Sequence, residues 1–366
     1  MKLFFTALIM TLVSFNMYAE DTLSVQKSSM QMVYYDAAEF PLLGKAIKDS
    51  RPLYSRLPDS LKNKIRPALW NLSQNTAGLS IRFRSNSTRI GAKWEVRLNN
   101  SMNHMTATGV KGLDLYCLKD GKWRFVNSGR PTGKQNDAVI IANMEAKERE
   151  YMLYLPLYDG IVSLSIGIDS LAEISQPKIQ KSYRNKPIAF YGTSILEGGC
   201  ASRPGMASTN IISRLLNRET INLGFSGNAF LDLEIAEVLG QVDASIYVLD
   251  FIPNASVSQI RERTIPFYRI IRKQHPDVPI IFVEDPVFTH AVFDQKIAQE
   301  VADKNKALGY IYRVLKEEGE THIFMILSKN MLGTDGEATV DGIHFTDVGF
   351  MRYVNLLYPI LEGILK

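Results

Sequence analysis

The chain has 366 residues, of which 46% are apolar, 22% charged and 10% aromatic, an ordinary globular composition with enough length for about two domains. Its 42 basic and 38 acidic residues leave a formal net charge of +4 with no basic block, so charge gives no argument for nucleic-acid binding. The two cysteines, Cys117 and Cys200, exclude a disulfide scaffold and a multi-cysteine zinc site.

Residues 1–19 read as an address. Lys2 precedes an apolar run from Leu3 to Val13, and the stretch closes at Met17-Tyr18-Ala19, as in a secretory leader. The alternative is an uncleaved anchor, although the run is short for a membrane span. Nothing later in the chain approaches a membrane-spanning apolar run. A leader implies export, to a periplasm or to the outside.

From about residue 30 to 175 the pattern is β. Leu79-Ser80-Ile81-Arg82-Phe83-Arg84, Trp94-Glu95-Val96-Arg97-Leu98 and Tyr151-Met152-Leu153-Tyr154-Leu155 alternate apolar and polar residues. Turn clusters separate them at Asn99-Asn100-Ser101, Lys119-Asp120-Gly121-Lys122 and Tyr158-Asp159-Gly160. This predicts an antiparallel β-sandwich domain over 20–180. Gln176 to Pro187 is polar and reads as a linker. Beyond it, apolar strands at Ile188–Tyr191, Thr220–Leu223, Ser245–Leu249, Pro279–Val283 and Ile323–Ile326 alternate with helical periods near 211–216, 260–271, 297–315 and 348–365. Such alternation predicts a parallel α/β domain over 185–366 with helices on both faces of the sheet.

Loops after the strands of such a sheet converge on one edge, where ligands bind. Gly192-Thr193-Ser194 follows the first strand, Gly224-Phe225-Ser226-Gly227-Asn228 the second and Asp250-Phe251-Ile252-Pro253-Asn254 the third. After the fifth, a polar loop ends in Asp341-Gly342-Ile343-His344. Each piece alone has a bland reading: a serine caps a helix, a glycine makes a turn, a histidine packs on a surface. Asn254 has its own competitor, since a helix begins near Ser256 and an asparagine there could cap it. Placement at the ends of the right strands favours chemistry. A serine hydroxyl needs a base, which His344 supplies; Asp341, three residues earlier, fixes the histidine tautomer. Attack on an ester builds an oxyanion, for which the backbone N–H groups of Ser194 and Gly227 and the Asn254 amide are the expected donors.

These blocks resemble the four motifs of the SGNH (GDSL-type) serine hydrolases. Gly-Thr-Ser stands where Gly-Asp-Ser is commoner, and Asp250-Phe-Ile-Pro-Asn254 replaces the usual Gly-x-Asn-Asp. Gly112-Leu113-Asp114-Leu115-Tyr116 is similar to the signature of a β-sandwich that precedes such hydrolases in secreted Bacteroidetes proteins, and Gly198-Gly199-Cys200-Ala201-Ser202-Arg203-Pro204-Gly205 to a loop after their nucleophile. The resemblance implies a flavodoxin-like sheet, a Ser194–His344–Asp341 triad, and a substrate that is a small acyl ester, acetylated glycan being the expected case. The α/β-hydrolase elbow Gly-x-Ser-x-Gly is absent, since Leu196 stands two after Ser194.

Arg203, Glu284 and Asp285 stand beside this edge as candidate substrate contacts, against bland readings as a solvated loop charge and turn carboxylates. His104, His275, His290 and His322 show no metal-ligand spacing, so neither metal nor other cofactor is expected. A bridge between Cys117 and Cys200 is not expected either. Two rival functions remain: a catalytically weak carbohydrate-binding or surface protein, and a lipid or thioester hydrolase of the same fold.

Overall fold

The computed structural model describes residues 31–178 and 185–366; the leader segment and part of the linker lie outside them. Ten strands build the first region: β1 (Met32–Asp36), β2 (Leu42–Leu43), β3 (Ser80–Ser85), β4 (Ile90–Val96), β5 (Leu113–Lys119), β6 (Lys122–Gly129), β7 (Gln135–Ile141), β8 (Arg149–Tyr154), β9 (Ile161–Asp169) and β10 (Ile174–Ser175), with short helices α1 (Pro67–Ser73) and α2 (Ala107–Lys111) between them. They form two antiparallel sheets, β1-β9-β4-β7 and β10-β3-β8-β5-β6, with β2 on the edge of β3. Their inward faces share a core that includes Ile81, Phe83, Trp94, Leu115, Tyr151 and Ile166. The β5–β6 hairpin turns on Asp120 and Gly121, both at positive φ (52° and 71°), the backbone that a two-residue hairpin requires.

The second region is β11 (Ile188–Gly192), α3 (Ser194–Glu197), α4 (Ser208–Leu216), β12 (Thr220–Gly224), α5 (Leu233–Gln241), β13 (Ile246–Asp250), α6 (Val257–Gln274), β14 (Ile280–Val283), α7 (Gln295–Glu317), β15 (Ile323–Ile326) and α8 (Asp347–Leu365). Its sheet is parallel, in the order β12-β11-β13-β14-β15. β11, β12, β13 and β14 are buried at every residue, as strands covered on both faces must be. Helices α5, α6 and α7 cover one face, and α4 and α8 the other. The sequence reading passed over α5, although Ile235, Ala236, Val238 and Leu239 carry its buried face.

The sandwich keeps its own core, but the first region also packs on the second. Leu57, Leu61, Ile65 and Leu69 of the first pack into one face of the parallel sheet, and Val110, Leu157 and Tyr158 into the other. No helix among the described residues is long and apolar enough to cross a membrane.

Candidate active site

Gly192 ends β11 so close to β13 that a Cβ there would lie 2.4 Å from the Asp250 carbonyl oxygen. Thr193 turns the chain, its hydroxyl accepting the Ile195 N–H, and Ser194 opens α3. Ser194 is only 7% exposed. Its Oγ lies 2.9 Å from His344 Nε2, and His344 Nδ1 lies 2.7 Å from Asp341 Oδ2. Asp341 Oδ1 also accepts the backbone N–H groups of Ile343 (3.0 Å) and His344 (2.8 Å), closing the turn that Gly342 makes at φ 90°. Partial burial alone would raise the Asp341 pKa; these bonds from His344 and Ile343 outweigh it and hold the carboxyl at about 2. A carboxylate at Nδ1 fixes that nitrogen as the donor and leaves Nε2 to accept the serine proton.

Across the pocket, Gly227 sits at φ 63° and Asn254 beside it. Asn254 Oδ1 accepts the Ala229 N–H at 3.2 Å. A backbone N–H bonds only to the oxygen end of an amide, so the Asn254 NH₂ is the end left for the pocket. The competing cap is filled by other residues: Ser256 caps α6 in a reciprocal box with Gln259. The Gly227 loop is braced from the first region. Arg66 forks onto both carboxylate oxygens of Asp232 and donates to Asn228, whose amide donates to the Ser226 carbonyl.

The Ser194 turn is braced in the same way. Tyr158 donates its hydroxyl to the Ser194 carbonyl oxygen at 3.1 Å. Behind the turn, fully buried Glu197 accepts from Asn75 (2.9 Å), Arg56 (3.3 Å) and the Ser226 N–H (2.9 Å). Burial pushes the Glu197 pKa up, and Arg56 opposes the shift. Arg56 also donates to the carbonyls of Asn75, Leu72 and Gly224. Sequence reasoning missed Arg56, Asn75, Tyr158 and Glu197, because their link is long-range pairing with no local spacing.

Three candidate substrate contacts separate. Arg203 is turned away from the pocket into the boundary between the regions. Its guanidinium meets Asp114 Oδ2 and the Tyr116 hydroxyl, both at 2.7 Å, and lies 3.8 Å from the Phe125 ring centre. Asp114 also accepts from the Gly205 N–H and from Ser128, so the Gly-Leu-Asp-Leu-Tyr segment pins the loop that follows Ser194. Glu284 is likewise outside the pocket, accepting from the Ser328 N–H and hydroxyl. Asp285 does line it.

The pocket is a cavity of about 330 Å³ lined by Ser194, Gly227, Asn254 and His344, by the apolar Ile195, Phe288, Ile297 and Val301, and by Asp285 and Lys304. His290 lines it too and faces the Gly342 carbonyl oxygen at 2.9 Å, supporting the loop that carries Asp341 and His344. The fold also gathers His104, Cys200 and His344, with ligand atoms within 4.8 Å of one another, a grouping that sequence spacing did not reveal. Both His344 nitrogens already face Ser194 and Asp341. Cys117 and Cys200 are both free.

A parallel sheet of this order, with a serine after its first strand, a glycine and an asparagine after the next two and Asp-x-x-His before its last helix, defines an ester hydrolase of the SGNH class. The chain belongs to the GDSL-like lipase/acylhydrolase family: that family's model matches residues 185–362, and the model for the N-terminus of SGNH-hydrolase-type esterases matches residues 32–174. A solved structure described as a GDSL-like lipase from Bacteroides ovatus is 39% identical, covers 92% of this chain and 98% of its own, and superposes with a TM-score of 0.88. The salicylyl-acyltransferase SsfX3 of a tetracycline biosynthetic pathway (14% identity, 91% of this chain and 97% of its own, TM-score 0.75) shares the fold. So does a family two carbohydrate esterase from Cellvibrio japonicus (10% identity, 92% and 98%, TM-score 0.59). No curated protein matches the chain in a sequence comparison.

Proposed function

We propose that the protein is an exported serine esterase that removes small O-acyl groups, acetyl foremost, from carbohydrate, with Ser194, His344 and Asp341 as its triad. The observation that carries the reading is the hydrogen-bonded chain from Ser194 Oγ through His344 to Asp341, facing Gly227 and Asn254 across one pocket. Ser194 Oγ attacks the ester carbonyl carbon while its proton passes to His344 Nε2. Negative charge on the former carbonyl oxygen is met by the N–H groups of Ser194 and Gly227 and by Asn254 Nδ2. The intermediate collapses as His344 returns the proton to the leaving alcohol, giving an acyl-serine. Water, deprotonated by His344, then releases the acid and regenerates the hydroxyl.

Carbohydrate esterases also use this two-part architecture, which supports a sugar ester as the substrate. The proposed leader, 1–19, is the basis for export. A complete relay weighs against a catalytically silent binding protein. The test is release of p-nitrophenol from p-nitrophenyl acetate by wild type beside Ser194→Ala, followed by a deacetylation screen on acetylated plant and host glycans. Wild-type turnover abolished in the variant, with acetate freed from a glycan, supports the reading. Turnover that favours long acyl chains replaces the sugar ester with a lipid.

A further inference from the structure

We propose that the part of the pocket lined by Asp285 and Lys304 is a hydroxyl-binding subsite, in which these two side chains hold a pair of adjacent hydroxyls on a sugar ring of the substrate's alcohol part. This deepens the esterase reading and rests on it.

Asp285 follows β14 and is 1% exposed. Neither of its carboxylate oxygens has a hydrogen-bond partner in the protein. Its backbone is tied on both sides to Asn305, the N–H to Oδ1 at 2.7 Å and the carbonyl to Nδ2 at 3.0 Å, so the side chain is held where it lines the cavity. A buried carboxylate without donors is costly, and most buried polar groups are paired. Burial pushes its pKa up to about 7, with Lys304 opposing and Asp250 and Glu300 adding.

The neighbouring charges select the ligand. Lys304 Nζ donates to the Pro253 carbonyl (3.2 Å) and to Glu300 (2.7 Å), which leaves one of its three protons, and it makes no ion pair with Asp285. An ammonium group would meet Lys304, and a carboxylate would meet Asp285 and Glu300. A hydroxyl suits both, donating to a carboxylate oxygen and accepting from the ammonium. Two unpartnered oxygens on one carboxylate match two adjacent hydroxyls. The same cavity is walled by Ile195, Phe288, Ile297 and Val301, which suit the C–H faces of a saturated ring. The 330 Å³ cavity far exceeds an acetyl group. At about 30 Å³ per water-sized group it has room for a pyranose ring as well.

The test is a ratio. Wild type and Asp285→Asn are compared on a monoacetylated methyl xylopyranoside and on cyclohexyl acetate, a ring of the same size without hydroxyls. The expected result is a wild-type kcat/KM at least about tenfold higher for the sugar ester, since sites built to bind a hydroxyl reject analogues lacking it. Most of that preference should vanish in the variant, chiefly through KM. A wild-type ratio near one, or an unchanged ratio in the variant, overturns the subsite while leaving the esterase reading intact. No hydrolysis of either ester or of p-nitrophenyl acetate by wild type overturns both. If the variant does not fold, inhibition of wild-type p-nitrophenyl acetate turnover by methyl xylopyranoside but not by cyclohexanol supports the subsite, and equal or absent inhibition overturns it.

Discussion

The surroundings of Ser194 and of Asp285, which line the same pocket, are built on opposite terms. Around Ser194, Asp341 accepts three hydrogen bonds and Glu197, buried behind the turn, accepts three more. Where Asp285 lines the pocket, its carboxylate accepts none from the protein. The pKa values follow the partners: Asp341 is held at about 2, and Asp285 is pushed up to about 7. The two aspartates thus differ because one is satisfied by the fold and the other is not. Groups that do the same chemistry in every turnover are best preorganised. A group that recognises a substrate needs bonding capacity left over.

The largest test of this contrast is made around Ser194. Ser194→Ala or His344→Ala should lower kcat by several orders of magnitude, and the double variant by little more, since triad members act as a unit. Asp341→Asn should cost about 10⁴ in kcat by favouring the wrong tautomer; steady-state kinetics on p-nitrophenyl acetate measures all of these. Asn254→Ala should lower kcat by about 10²–10³ with KM little changed. A melting point lowered without that kinetic loss would return Asn254 to a structural role. At the boundary, Arg203→Ala leaves Asp114 buried without its guanidinium and should lower the melting temperature, a buried partner's loss costing about 3–5 kcal/mol when complete.

The smallest expected effect has the opposite sign. An acid whose folded pKa is raised has its stabilising contribution in full below the unfolded pKa and loses it as pH rises through the folded value. For Asp285 that window runs from the ordinary carboxylate value of 3.8 to about 7. Asp285→Asn should therefore melt a few degrees higher than wild type at pH 8, with the gap closing toward pH 4. Thermal melts of both proteins across that range check it; a variant less stable at pH 8 would mean that Asp285 is satisfied by the fold after all.

What was legible in the chain follows the range of the interactions. β11, β12, β13 and β14 showed as continuous apolar runs because both their faces are covered. Asp341 and His344 showed because three residues and one turn bring them together. Asn254 was placed by position, but the orientation of its amide depends on the Ala229 N–H, 25 residues away. Arg203 looked like a substrate contact because its partner Asp114 lies 89 residues back, in the other sheet system. Glu284 and Asp285 are neighbours whose side chains part, one toward Ser328 and one toward the cavity; strand geometry sends successive residues to opposite sides, and composition does not say which. The Arg56–Glu197 pair behind Ser194 had no signal, since 141 residues separate its members.

The central claim is that Ser194 is the nucleophile and His344 its base. The most direct measurement is labelling with a serine-reactive fluorophosphonate, with the modified peptide mapped by mass spectrometry. The account predicts one adduct, on Ser194, formed rapidly by wild type, much more slowly by His344→Ala and not at all by Ser194→Ala. An adduct elsewhere, or p-nitrophenyl acetate turnover preserved in Ser194→Ala, would contradict it.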